Sequence, residues 1–243
     1  MAVKYELAEE IITPRFFGSV DGNYGEGKTH FALSLPKPLA IHSFDPKGVG
    51  RAIGDYSGQE IYSFKYSMPH STALPENPFA IMADAAKPIW LEFVKNFRAS
   101  LKDMKSVVID HGDAPWTVLR LARLGKLTQI LPVQYTAVNA EFRQLIQEAT
   151  DHDAHVCFIH KLKAEWGKDN QPTGKFERSG FSDIGYDMDV VLRTSTDPKG
   201  VGINRFQMTV EKGGNNFAAV GQKLTGADCN FEAVMKLIYP EKK

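Results

Sequence analysis

Residues 15–36 read RFFGSVDGNYGEGKTHFALSLP, and the order of residue types in this stretch decides the fold. The first six residues, Arg15 to Val20, have strand composition. A glycine-rich run follows, and FALSL then continues as a helix that Pro36 stops. Strand, glycine-rich turn, helix is the first unit of a parallel α/β fold. Within it, Gly22-Asn23-Tyr24-Gly25-Glu26-Gly27-Lys28-Thr29 satisfies G-x-x-x-x-G-K-[ST] in full. Glycines let successive backbone N–H groups turn inward around a phosphate, and the helix N-terminus adds a favourable field. Lys28 supplies a cation for β- and γ-phosphates and the Thr29 hydroxyl a Mg²⁺ ligand. His30 closes the phosphate-binding set. ATP and Mg²⁺ are the expected cofactors.

Outward from this unit, further strands are expected at 39–44 (LAIHSF), 60–65 (EIYSFK), 105–110 (KSVVID) and 155–160 (HVCFIH). Between them, Ile89, Phe93 and Phe97 recur at helical spacing inside 83–101, with Trp90 and Val94 beside them. Residues 116–124 and 135–149 also read as helices. Alternating strands and helices predict a mostly parallel sheet flanked by helices. DVVLRTS (189–195) and NRFQMTVEK (204–212) predict an antiparallel hairpin at its edge, and 231–238 a closing helix. Residues 67–78 and the polar stretch 161–181 are expected to be loops.

The chain of 243 residues carries 29 basic and 29 acidic side chains, so it does not coat nucleic acid by overall basicity. Its length suits one α/β domain over 1–243. MAVKYELAEE at the start has neither a secretory signal nor a membrane anchor, and a cytoplasmic location is expected. Cys157 and Cys229 lack metal-ligand spacing, and Cys157 reads as a buried thiol.

Asp110 ends the apolar strand VVID and is the candidate for a second Mg²⁺ position, because its strand would finish at the same sheet edge as the phosphate loop. Asp45, Asp113 and His111 are candidates to orient an attacking water. His160, at the end of HVCFIH, could sense the γ-phosphate and signal to the segment that follows.

The phosphate loop, VVID, YTAVNAEFRQLI (135–146), HVCFIHKLK (155–163) and SGFSDIGYDMDVVLR (179–193) together resemble the bacteriophage RecA-like ATPases of single-strand annealing and recombination, over roughly residues 14–195. The resemblance implies a RecA-like P-loop NTPase core and ATP hydrolysis coupled to single-stranded DNA. It also implies a homo-oligomer, with a single-stranded-DNA-binding protein as a further partner. In that family Lys28 and Thr29 match the phosphate and Mg²⁺ positions, Asp110 the second Mg²⁺ position, and His160 a polar sensor. Residues 161–181 would occupy the place of a DNA-binding loop. There Lys161, Lys163, Lys168, Lys175 and Arg178 suit phosphates, and Trp166 and Phe176 suit base stacking. One departure stands out: the second strand is followed by Phe44-Asp45-Pro46-Lys47-Gly48, without the family's catalytic glutamate. A P-loop kinase of a small acceptor and an ATP-controlled loader that barely hydrolyses are the alternative functions.

Overall fold

A computed structural model describes residues 14–69, 78–126, 130–167, 169, 171–181 and 183–240. Its strands are β1 (Phe17–Gly22), β2 (Leu39–Ser43), β3 (Ile61–Lys65), β4 (Ser106–Asp110), β5 (His155–Trp166), β6 (Pro172–Arg178), β7 (Val190–Thr196), β8 (Phe206–Gly213) and β9 (Lys223–Thr225). The helices are α1 (Lys28–Leu33), α2 (Pro46–Ala52), α3 (Pro78–Asp103), α4 (Ala114–Leu124), α5 (Pro132–Thr150), α6 (Ile184–Asp187) and α7 (Phe231–Ile238). Among the described residues the nine strands form one sheet in the order β3-β2-β4-β5-β1-β7-β8-β9, with β6 paired to β5. From β3 through β7 the ladder is parallel, and β8 and β9 add antiparallel strands at the edge. This is an α/β P-loop NTPase architecture, mostly parallel and flanked by helices.

Strands β1, β2 and β4 are buried at every position. Such strands read as continuous apolar runs because both faces are covered. One face meets α3, α4 and α5 through Phe17, Val107, Ile109, Val156 and Phe158. The other meets α1 and α7 through Val20, Val108, Cys157, Ile159 and Leu192. Side chains alternate between these faces, so each strand-end residue is assigned to one of them by its parity.

The elements depart from expectation in three ways. Helix α3 starts at Pro78 rather than at residue 83, and proline suits a first helical turn because its missing N–H has no intrahelical partner there. Short α2 and β9 were not anticipated. The third departure bears on function: 161–181 is not an open loop. Strand β5 runs on to Trp166 and β6 returns antiparallel to it, pairing Leu162 with Arg178, Lys163 with Glu177 and Ala164 with Phe176. The period-two pattern of KLKAEW, charged residues alternating with Leu162, Ala164 and Trp166, is the physical reason. The loop expected at 67–78 lies largely outside the described residues.

The core beside α3 is aromatic. Phe93 stacks with Phe97 at 5.6 Å, meets Trp90 at 5.8 Å and presents an edge to His42 and Tyr66. Burial pushes the His42 imidazole down to about 3, so this ring is a neutral packing element, held by Tyr66 and Ser100. Replacing Phe93 by Ala is expected to cost about 3–5 kcal/mol of stability, the range for deleting a buried phenyl ring. Urea unfolding monitored by circular dichroism reads this directly. A loss under 1 kcal/mol would mean that the aromatic cluster is not a core.

Candidate nucleotide site

The carboxyl ends of β1, β4 and β5 and the N-terminus of α1 enclose a cleft of about 430 Å³, lined by residues 22–30, Asp45, Arg51, Asp110, His111, Ile159, Lys161, Arg205 and Phe206, among others. Every residue of the glycine-rich octapeptide therefore lies on it. Gly27 sits at φ 83° immediately before α1, a left-handed conformation that opens the loop into the helix. Gly22 is needed for a different reason: a Cβ there would lie 1.9 Å from Thr194 Oγ1 and 2.6 Å from Glu26 Oε2. Glu26 faces inward and accepts a hydrogen bond from the Asn23 backbone N–H at 2.6 Å, which ties the loop to itself.

Lys28 is buried, and its ammonium donates to the Asn23 carbonyl oxygen. Burial lowers its pKa, partly countered by the nearby carboxylates of Glu26 and Asp110. Thr29 donates from Oγ1 to Asp110 Oδ2 at 3.2 Å, joining α1 to the end of β4. Asp110 is raised to about 6, first by burial and further by the Asp45 charge, against the opposing effects of the Thr29 hydrogen bond, Lys28 and Lys161. A buried carboxylate short of positive charge beside a hydroxyl is an oxygen donor pair that fits Mg²⁺, which takes one or two protein oxygens and completes its shell with phosphates and water. Among the described residues no three His, Cys, Asp or Glu side chains gather as a metal cage, and Mg²⁺ of this kind needs none.

Of the candidates for orienting water, Asp45 and His111 reach the cleft. His111 Nε2 lies 3.5 Å from Asp45 Oδ2 and 3.7 Å from Asp110 Oδ1. Burial, with Lys161 next, lowers the His111 pKa, so the ring is neutral near pH 7. Asp113 is elsewhere: Oδ2 accepts from the Ser179 hydroxyl at 3.3 Å, at the base of the β5–β6 hairpin.

His160 is also turned away from the cleft. Strand alternation puts Ile159 and Lys161 on the α1 face and His160 on the opposite one, fully buried, with Nδ1 at 3.1 Å from the Ser179 carbonyl oxygen. Burial and the Arg178 charge push its pKa down to about 3, which leaves it neutral. The side chain that reaches the cleft from β5, where its parallel pairing with β1 ends, is Lys161, expected from the sequence to contact DNA. Its charge acts on Lys28, Asp110 and His111, which places it at the Asp110 end of the cleft.

The remaining hairpin candidates divide. Arg178, expected on DNA phosphates, instead forms a bidentate ion pair with the fully buried Asp21, Nε and Nη2 donating to Oδ2 at 2.9 and 2.6 Å. Lys163 pairs with Glu177 at 3.1 Å across the ladder. Trp166 and Phe176 are 64% and 58% exposed, unusual for aromatic rings, and Lys175 is exposed as well. Lys168 lies outside the described residues. Three cleft residues were missed: Arg51, whose guanidinium lies 5.3 Å from the centre of the Tyr24 ring, and Arg205 with Phe206, from the start of β8. For Arg51 a signal existed, a cation eight residues after the end of a strand that finishes near the ligand edge. For Arg205 and Phe206 there was none, because a far-off strand pairing delivers them.

A glycine-rich loop between strand and helix, a buried lysine, and a threonine in the first turn of that helix bonded to the aspartate that ends β4 define the P-loop nucleoside-triphosphatase class. Residues 19–219 match the family described as AAA domain (AAA_24), and the chain belongs to that family. It is thus an AAA-type, P-loop ATPase-like domain. Comparison with curated proteins gave no match.

The raised Asp110 carboxyl has a consequence for the protein without nucleotide or Mg²⁺. Its folded pKa of about 6 exceeds its ordinary 3.8, so between those values the folded state holds a proton that the unfolded chain has released. Stability on this account is full below pH 3.8 and falls as pH rises to about 6. Asp110→Asn removes the penalty and is expected to stabilise the ligand-free protein by about 2 kcal/mol at pH 7.5 and by little at pH 4. Chemical denaturation of both proteins at the two pH values is the check. Equal stabilities at pH 7.5 would show the carboxylate to be adequately solvated.

Proposed function

We propose that the chain is a Mg²⁺-dependent ATPase whose turnover is coupled to single-stranded DNA lying on the β5–β6 hairpin, in service of recombination or strand annealing by a homo-oligomer. The observation that supports the coupling is the continuity of β5. One strand carries Lys161 in the cleft and, five residues on, the exposed Trp166 at the far end of the hairpin. A change in what Lys161 contacts would pass to the hairpin tip along this strand, whose pairing with β6 shifts register between Ala164 and Trp166.

In this reading Lys28 leaves the Asn23 carbonyl to meet phosphate oxygens, and Lys161 approaches the terminal phosphate from the other wall. Mg²⁺ held by Thr29 and Asp110 would neutralise charge that develops on the phosphates. Asp45 and His111 stand where the family's glutamate is missing, and a carboxylate with an imidazole at 3.5 Å can fix a water by hydrogen bonds. Trp166 and Phe176 offer flat faces for bases, and Lys175 a phosphate contact.

ATP hydrolysis measured with Mg²⁺, with and without single-stranded DNA at a low and a moderate salt concentration, tests the whole reading. DNA should raise turnover. Turnover that ignores DNA, together with absent DNA binding, would leave an ATP-controlled switch or a small-acceptor kinase. Lys28→Ala is expected to abolish turnover with the circular dichroism spectrum unchanged, and wild-type turnover in that variant would remove the cleft from the chemistry. Trp166→Ala is expected to weaken single-strand binding by about 1–3 kcal/mol. An unchanged affinity by fluorescence anisotropy would take the hairpin tip out of the interface.

A further inference from the structure

A second cavity of about 410 Å³ adjoins the phosphate cleft on the side away from Asp110. Glu26, Gly27, His30 and Phe206 line both spaces, so the two meet over the first turn of α1. The cleft is therefore directional. Asp110, His111 and Lys161 mark the end for the metal and terminal phosphate, and the chain of phosphates leaves toward Gly27 and His30.

The Phe206 ring lies directly on the P-loop backbone: a Cβ added to Gly27 would be 3.1 Å from its edge. Arg205 holds it there, with the guanidinium 5.0 Å from the ring centre and Nη2 donating to the Gly25 carbonyl oxygen at 3.2 Å. Beyond it come the His30 ring, 6.5 Å from Phe206, and the Tyr56 ring, 6.1 Å from His30. An aromatic series thus continues the phosphate path into the second cavity.

Most polar groups there are already engaged. Ser34 bonds to the Phe31 carbonyl and the Phe231 N–H, Tyr56 to the His30 carbonyl, and Asn230 caps α7. Gln207 pairs with Ser195 and Thr225, so alternation turns its side chain to the face of β8 opposite Phe206, Met208 and Val210.

We propose that this cavity receives the base of the nucleotide, a purine stacked on Phe206. The inference rests on the phosphate site being a nucleotide site. The exposed Tyr24–Arg51 pair at the opposite rim is the rival position, but Tyr24 is 82% exposed and encloses nothing. Size favours a purine, since the larger ring covers more of the aromatic series.

The test compares Mg²⁺-dependent binding of ATP, CTP and inorganic tripolyphosphate to the full-length protein by calorimetry. Wild type should bind ATP about tenfold or more tighter than tripolyphosphate, with CTP between them. Phe206→Ala should shrink the ATP-to-tripolyphosphate ratio by about tenfold, and Phe206→Trp should restore it. Tripolyphosphate binding as tightly as ATP, or a ratio unmoved by Phe206→Ala but lost in Tyr24→Ala, overturns the base slot and leaves the phosphate site standing. Failure of wild type to bind either ligand overturns the phosphate site itself. A misfolded Phe206→Ala leaves the wild-type ratios and the Tyr24→Ala comparison to decide.

Discussion

The parallel ladder that joins β1, β5 and β4 is the constraint on which the rest depends. Its register pairs Gly22 with Lys161 and Asp110 with Ile159, so the phosphate loop, a cation and a carboxylate arrive at one sheet edge. Backbone hydrogen bonds set this register, and the burial of both faces holds it, since a slip of one residue would send every apolar side chain to the wrong layer. The same slip would replace Lys161 by His160 in the cleft and Asp110 by Ile109. Chemistry and packing are therefore specified by one alignment.

Parity along those strands builds a second polar group on the opposite face. Asp21 and His160 are register partners there, and Arg178, Ser179 and Asp113 close around them. Asp21 is wholly buried, and its Oδ1, like His160 Nε2, has no hydrogen-bond partner among the described residues. A buried ion pair of this kind is weak evidence for stability, because desolvation offsets much of the attraction. Its geometric effect is clearer. The bidentate Arg178 pins the returning strand of the hairpin beneath the strand that ends in the phosphate loop. Removing either partner would strand a charge in the interior, which makes the attachment hard to lose.

What was legible in the sequence was local. The octapeptide carries its own conformation and chemistry, and the apolar runs around Val108 and Cys157 announce buried strands without reference to anything distant. The choice between His160 and Lys161 required knowing which face each strand end presents, and composition does not supply that. Alternation did continue through Lys161–Trp166, but its polarity drew the eye to a loop. Arg205 and Phe206 were beyond reach for another reason: β7 pairs with both β1 and β8, and only that pairing carries residue 206 to Gly27. Long-range sheet order is the part of a fold that periodicity cannot encode.

Asp45 follows the second strand and reaches the cleft on a short side chain. His111 makes up the distance, because its ring lies between Asp45 and Asp110 within 3.5 and 3.7 Å. A neutral imidazole has a single N–H to give, and Nε2 cannot serve both carboxylates. Asp45 and Asp110 therefore repel with incomplete screening, which is one reason the Asp110 carboxyl titrates high. Under the ATPase reading, a cation engaged by Asp110 would relieve that repulsion and free His111 to face Asp45. Under that reading the Asp45–His111 pair, already within 3.5 Å, would be tuned by what Asp110 holds.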